Sequence, residues 1–306
     1  IIDAPIEWQA DKFALQAFDT QKLTEIFSDL EFRTLGKRIL GEDYSVNTAT
    51  PKKTSAAKPT GQASLFGELE ESASIATDAK EISFGKDIYN TEHQYHLIET
   101  EEQIEKLLKK ILAADKVCFD TETTSLDANN CALVGMSFSV LPHEAYYVPV
   151  PSDAIEAHQL VQCFKPFFEN KKIIKIGQNI KYDQLVLKWY GIEVQGTLFD
   201  TMLAHYLMDA DSRHNMNALA ENYLGYTPVS ITELIGKKGP SQKNMRDVPL
   251  EQIKEYAAED ADVTLQLYQK FNKEIENTHL HKLFYDVETP LIPVLTDMEY
   301  EGVKID

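Results

Sequence analysis

Two carboxylates stand inside an apolar, β-branched run, Val117-Cys118-Phe119-Asp120-Thr121-Glu122-Thr123, and that placement constrains the chain more than any other feature. The run reads as a buried strand. Residues i and i+2 of a strand share a face, so Asp120 and Glu122 stand side by side. Acids seldom occupy such segments unless something compensates their charge. Two further segments aim polar groups in the same way. Asn179 and Asp183 in GQNIKYD are four apart on an expected helix, as are Tyr256 and Asp260 in EYAAEDAD, and positions i and i+4 share a helix face. Four carboxylates converging from three elements would repel one another. A pair of divalent cations held by oxygen ligands is the usual compensation, which points to metal-dependent phosphoryl chemistry.

The 306 residues leave room for one large domain or two smaller ones, and 43% apolar with 26% charged residues is an ordinary globular composition. No apolar run reaches about 18 residues, so no membrane span is expected. The opening IIDAPIEWQ lacks an initiator Met, a basic n-region and an apolar core. It reads as no signal peptide, and the chain is expected to be a cytoplasmic, monomeric piece of something longer. Cys118, Cys131 and Cys163 are scattered without a CxxC pair, which fits a reducing compartment and argues against zinc. The formal charge of −19 argues against broad coating of nucleic acid. It leaves open a nuclease whose acidic site is neutralised by metal.

Four regions follow from the pattern. Residues 1–44 carry helical periodicity through Phe13, Leu15, Phe18, Leu23, Ile26, Phe27, Leu30 and Leu35. Residues 45–90 turn to Thr, Ser, Ala, Lys and Pro, the composition of a flexible, disordered linker. Residues 91–285 read as one α/β domain, a mixed sheet followed by helices. Its expected elements are an edge strand at HQYHLIET, a helix from Glu101 to Ala113, and strands at KVCFDT, ALVGMSFSV and EAYYVPV. Then come a helix from Asp153 to Glu169, a strand at KKIIKI, a helix from Gln178 to Tyr190, and helices from Phe199 on. Residues 286–306 begin another helix.

The order of a strand-borne DxE, an NxxxD and a YxxxD resembles the DEDD superfamily of 3′–5′ exonucleases, in its tyrosine-bearing subgroup. The flanks FDTETTSLD, GQNIKYD, FDTMLAHYL and YAAEDADVTLQLY are similar to the proofreading exonuclease domain of the bacterial DNA polymerase I family, over about 91–280. Residues 1–44 resemble the tail of that family's 5′-nuclease domain. The stretch ETPLIPVLTDMEYEGVKID resembles the first helix of its polymerase domain, and no polymerase activity is expected from this piece. The resemblance implies a ribonuclease H-like mixed sheet flanked by helices, and two Mg²⁺ ions for which Mn²⁺ can substitute. It implies that Asp120, Glu122 and Asp260 hold a metal that activates water, with Asp120 reaching the second metal and Asp183 supporting the site directly or through water. Tyr256 would orient that water. Leu126 would wedge against the terminal base, Asn179 and Gln178 would contact the terminal nucleotide, and Arg213 would approach a phosphate. The implied substrate is the 3′ end of single-stranded or frayed DNA, released as nucleoside monophosphates. Two alternatives stay open: a catalytically silent scaffold, and a ribonuclease D-like exonuclease acting on RNA.

Other residues carry competing readings. Asp262 lies two positions from Asp260 on a helix, so it points elsewhere and reads as a surface or cap-like acid. His205 and His214 read as packing or phosphate-contacting residues rather than metal ligands, and Cys118 as a packed strand residue. Lys237, Lys238, Lys243 and Arg246 in GKKGPSQKNMR form either a solvated turn or a contact to the DNA backbone. In the polar linker, Gln62-Ala63-Ser64-Leu65-Phe66 is similar to the pentapeptide by which bacterial replication proteins bind the sliding clamp. Gln62, Leu65 and Phe66 would make that contact, or Leu65 and Phe66 would dock on the exonuclease domain itself.

Overall fold

One mixed sheet organises the larger part of the chain. Its strands are β1 (Gln94–Leu97), β2 (Lys116–Thr123), β3 (Leu133–Leu141), β4 (Glu144–Pro149), β5 (Ile174–Gly177) and β6 (Leu198–Asp200), in the order β1-β4-β3-β2-β5-β6. The computed structural model describes residues 19–29, 39–40, 85–237, 239 and 242–304. The chain divides into two compact units, Ile1–Ala76 and Thr77–Asp306. The first contains helix α1 (Thr20–Asp29), whose start is capped by the Asp19 carboxylate accepting from the Lys22 N–H at 3.1 Å. The second contains the sheet.

Strands β2, β3 and β4 form an antiparallel meander, while β1 adds parallel to β4 and β5 and β6 add parallel beyond β2. That order leaves β2 flanked on both edges and covered on both faces. Its odd residues Val117 and Phe119 enter an aromatic core with Phe138, Phe164, Phe167 and Phe168, where Phe119 meets Phe168 edge-on at 5.2 Å. Cys118, on the other face, packs with Phe199, Leu265 and Phe271. Asp120 and Glu122 share that second face. Opposite Glu122 in the β2–β3 register is Gly135. A Cβ there would lie 2.2 Å from the Tyr147 hydroxyl, so only glycine lets that buried ring lie over the strand.

The helices are α2 (Glu101–Leu112), α3 (Ala154–Cys163), α4 (Lys165–Phe168), α5 (Ile180–Trp189), α6 (Thr201–Met208), α7 (Met216–Leu224), α8 (Ile231–Ile235), α9 (Leu250–Glu276), α10 (Leu280–Lys282) and α11 (Thr289–Glu301). A capping box starts α2: Thr100 Oγ1 accepts from the Gln103 N–H at 3.3 Å and Gln103 Oε1 accepts from the Thr100 N–H at 2.9 Å. At 27 residues, α9 spans roughly 40 Å and buries Leu265, Leu267 and Phe271 with the core residues of β2, β5 and β6. Helix α11 packs on α5 through Thr296, which donates to Gln184 at 3.2 Å, and through Lys188 Nζ to Asp297 at 2.7 Å. Among the described residues, no helix is long and apolar enough to cross a membrane.

The sheet and flanking helices agree with the expected fold class, and four details differ. The helix expected over Asp153–Glu169 breaks at Phe164 into α3 and α4, because Pro166 has no N–H to donate and its ring crowds the preceding turn. Helix α5 starts at Ile180, after a left-handed Asn179. A three-residue strand, β6, precedes the helices expected from Phe199. The packed fold also reaches back to Lys86, which bridges to Tyr226 in parallel, and to the buried Ile88, inside the segment expected as linker.

Candidate active site

The sheet face under α9 collects the acids. Asp120 and Glu122 rise from β2 two residues apart, and Asp260 descends from α9. Each offers a carboxylate oxygen, and the three oxygens lie within 4.8 Å of one another. Glu122 and Asp260 are buried and Asp120 is partly open. Among the described residues, Asp260 Oδ1 is buried without a hydrogen-bond partner. An unpartnered buried carboxylate oxygen costs free energy unless a cation or proton meets it. All donors here are hard oxygens, which suits Mg²⁺ or a similar cation. The residues therefore fit the metal that their sequence pattern implies.

Without that cation, the electrostatics push protons onto the acids. Burial pushes the Asp120 carboxyl up to about 7, opposed by the Thr121 backbone N–H. Glu122 goes well above the usual carboxylate range through burial and then the charge of Asp120. Asp260 does the same, through burial and then Asp120, Glu122 and Glu259. Tyr256, one helical turn before Asp260, has its phenol pushed far up by burial and by the Asp260 carboxylate beside it. It stays a neutral hydroxyl, able to donate and to accept.

Asp183 comes from the first turn of α5 and joins the site from the side. Its Oδ1 accepts from both the N–H and the Oγ1 of Thr121, the residue between Asp120 and Glu122. Burial and the Asp120 charge raise its pKa, and the Thr121 hydroxyl opposes the rise. It lies outside the three-oxygen cluster but within reach of its field. Nothing in the sequence pattern singles out Thr121 as the anchor of Asp183, because only the fold brings residues 121 and 183 together.

The remaining candidate residues sit in different surroundings. Leu126 is 89% exposed, on a loop whose base is held by the Tyr182 hydroxyl donating to Ser125 O at 2.6 Å. Asn179 is exposed beside the α5 N-terminus, and Arg213 is exposed in the turn before α7. Gln178 is engaged at both ends of its amide: Oε1 accepts from Thr201 Oγ1 and Nε2 donates to His214 O at 2.8 Å. His205 and His214 meet through their Nδ1 atoms at 2.7 Å, and His205 packs on Phe271 and hydrogen-bonds Tyr223. Cys118 is fully buried in the strand.

Two expectations need correcting. Asp262 is 2% exposed, not a surface acid. It accepts from the Tyr95 hydroxyl at 2.9 Å, the His143 N–H at 2.8 Å and Gln266 Nε2 at 3.0 Å. The sheet edge covers α9 on that side as well, so pointing away from Asp260 does not mean pointing at water. Arg246 does not face outward with the basic loop. Its guanidinium donates to Val150 O at 3.1 Å and Leu133 O at 2.7 Å, tying down two strand ends. Lys237 and Lys243 are exposed. Lys238, Gln62, Leu65 and Phe66 lie outside the described residues.

Comparison with known proteins gives this geometry a family. Residues 95–276 match the family model described as 3′-5′ exonuclease of the A-type DNA polymerases. The chain is 35% identical over 248 residues to DNA polymerase I of Pseudomonas aeruginosa, covering 78% of this chain and 27% of that protein. It is 30% identical over 317 residues to DNA polymerase I of Chloroflexus aurantiacus, covering 100% of this chain and 32% of that protein. It thus spans a third or less of the length of these relatives. Among solved structures, Brucella melitensis NrnC superposes with a TM-score of 0.54 at 20% identity, over 68% of this chain and 93% of that one. The catalytic core of Trypanosoma brucei RRP6 superposes at 0.51 and 19% identity, over 67% and 55%. These likenesses carry the fold, a ribonuclease H-like nuclease sheet. The matching model covers most of the sheet and all of α9, including every acid of the cluster, and so the chain belongs to the 3′–5′ exonuclease domain family of the A-type DNA polymerases.

Proposed function

We propose that this domain removes nucleotides from single-stranded or frayed DNA 3′ ends, one nucleoside monophosphate at a time, as the proofreading part of a DNA polymerase I. The observation that carries the reading is the cluster of Asp120, Glu122 and Asp260 within 4.8 Å, with Asp260 Oδ1 buried and unpartnered. A silent scaffold gains nothing from keeping repelling acids in that state, whereas a site for divalent cations requires them. Two Mg²⁺ ions, when bound, supply an activated water at neutral pH and neutralise charge on the phosphate; Mn²⁺ is the expected substitute.

The chain's own residues supply the rest. Asp120, Glu122 and Asp260 form the ligand set, and Asp183 holds the edge of the site from its anchor on Thr121. Tyr256 is the neutral hydroxyl placed to orient the attacking water. Leu126, exposed on its loop, would lodge against the terminal base, Asn179 would offer its amide to the terminal nucleotide, and Arg213 would offer charge to a phosphate. The relatives are DNA polymerases, which favours DNA over RNA. NrnC has been solved with bound pGG and with Mg²⁺, a precedent for both ligand classes on this fold.

The test is digestion of 3′-labelled and 5′-labelled single-stranded DNA, with an RNA of the same sequence alongside, in Mg²⁺ and in EDTA. Stepwise loss from DNA 3′ ends that stops in EDTA is expected. Loss from 5′ ends, preference for RNA, or indifference to EDTA would overturn the reading. The segment 62–66 adds a proposed partner, the sliding clamp. A labelled 58–70 peptide titrated against the clamp should bind, and equal binding after Leu65→Ala and Phe66→Ala would reject it.

A further inference from the structure

Helix α5 begins without a cap of its own. Asn is among the strongest N-cap residues because its side-chain oxygen accepts from the amide of the second or third helical residue. At Asn179 that bond is missing: the residue is left-handed, φ 58° and ψ 46°, and its side chain makes no cap hydrogen bond. The cap comes instead from the end of β6. Asp200 Oδ1 accepts from the Asn179 N–H at 3.1 Å, and Oδ2 accepts from the Ile180 N–H at 2.9 Å. Oδ1 also accepts from Met202 at 2.9 Å and Leu203 at 3.2 Å, capping its own helix α6. One carboxylate, 4% exposed, therefore serves two helix N-termini, where orphan amides and the helix dipoles both favour a negative charge. The neighbouring Thr201 hydroxyl reaches Gly177 O at 3.1 Å and the Gln178 amide, so the whole β5–α5 turn is held from β6.

We propose that Asp200 is a positioning residue for the end-binding contact. By holding the backbone N–H groups of Asn179 and Ile180 from β6, it keeps Asn179 in the left-handed conformation and leaves the Asn179 amide exposed and free for the terminal nucleotide. The inference rests on the end-binding role proposed for Asn179. It predicts an effect on binding more than on turnover. Asp183, one turn further along α5, has a second anchor in Thr121, whereas among the described residues the Asn179 N–H bonds only to Asp200.

The variant that separates this role from ordinary helix capping is Asp200→Ser. Serine still caps α6 but is too short to serve α5 as well. Amide exchange at Asn179 and Ile180 should speed up several-fold, with Met202 and Leu203 little changed. The KM for single-stranded DNA should rise about fivefold to tenfold with kcat within about threefold, the loss of one directed hydrogen bond. In an Asn179→Ala background, Asp200→Ser should raise KM no further, because both substitutions remove the same contact. Asp200→Asn, which keeps the reach through one oxygen, should fall between parent and serine variant, and it carries the same measurements if the serine variant does not fold. Unchanged exchange at Asn179 and Ile180, or additive effects on KM, would overturn the proposal. A parent protein without nuclease activity would instead reject the proposed function, and the exchange measurement would still decide the role of Asp200.

Discussion

Buried acids occur at several places around the sheet, and they live in opposite conditions. At the β6–α6 turn, Asp200 is surrounded by four backbone N–H groups. Two residues beyond Asp260 on α9, Asp262 likewise has three donors. At the β2–α9 crossing, Asp120, Glu122 and Asp260 face one another with few donors, Thr121 N–H for Asp120 and the Tyr256 hydroxyl for Asp260, and among the described residues Asp260 Oδ1 has no partner. All are buried carboxylates or nearly so, so burial does not separate them. Donor supply does. A satisfied acid is part of the fold, whereas an unsatisfied cluster is a site waiting for positive charge.

The contrast can be broken by experiment. Its largest expected effect is on turnover: Asp260→Ala should lower 3′-end digestion by about a thousandfold or more, as loss of a group organising transition-state charge does. Activity within tenfold of the parent would remove Asp260 from the site. Stability should then divide the two classes. Asp262→Asn leaves partners mismatched and should destabilise the fold by about 1–3 kcal/mol, while Asp260→Asn relieves repulsion and should raise the Tm of the metal-free protein. Shifts of the same sign would collapse the distinction.

Tyr256→Phe removes one hydroxyl and keeps the acids, so a loss of about tenfold is expected. A loss as large as that of Asp260→Ala would mean that Tyr256 does more than orient water. The smallest effect is on pH dependence. The folded carboxyl of Asp120 titrates near about 7 against an ordinary 3.8. The folded state therefore holds more protons than the unfolded state between these values, and metal-free stability falls as pH rises through that window. Asp120→Asn cannot titrate, so its Tm advantage over the parent in EDTA should grow from about pH 4 to about pH 7 and level off above. An advantage independent of pH would show that Asp120 is not protonated in the metal-free fold.

Much of this was legible in the chain. The period-2 placement of Asp120 and Glu122 and the four-residue spacing of Tyr256 and Asp260 are local, and local geometry fixes which side chains share a face. Residues whose meaning depends on a distant partner were misread or unseen. Arg246 sits in a basic, glycine-containing loop that reads as solvated or DNA-facing, yet its acceptors are carbonyls about a hundred residues away. Asp200 lies inside the stretch expected as helix from Phe199, and nothing nearby in sequence announces that it ends a strand and serves the start of α5 as well as of α6. Strand β6, at three residues, is too short for any periodicity to reveal.

The sequence by itself determined the secondary elements that bear the acids, the face of each element on which they lie, and the resemblance that names their chemistry. Those are properties of spacing along one chain segment. The tertiary structure alone decided that three of the acids meet within 4.8 Å while Asp183 is tied to Thr121, that Asp262 is buried and satisfied, and that Asn179 keeps a free amide. Each of these depends on which donors a carboxylate or amide meets across the fold, and donor supply is set by packing between segments that share no local pattern.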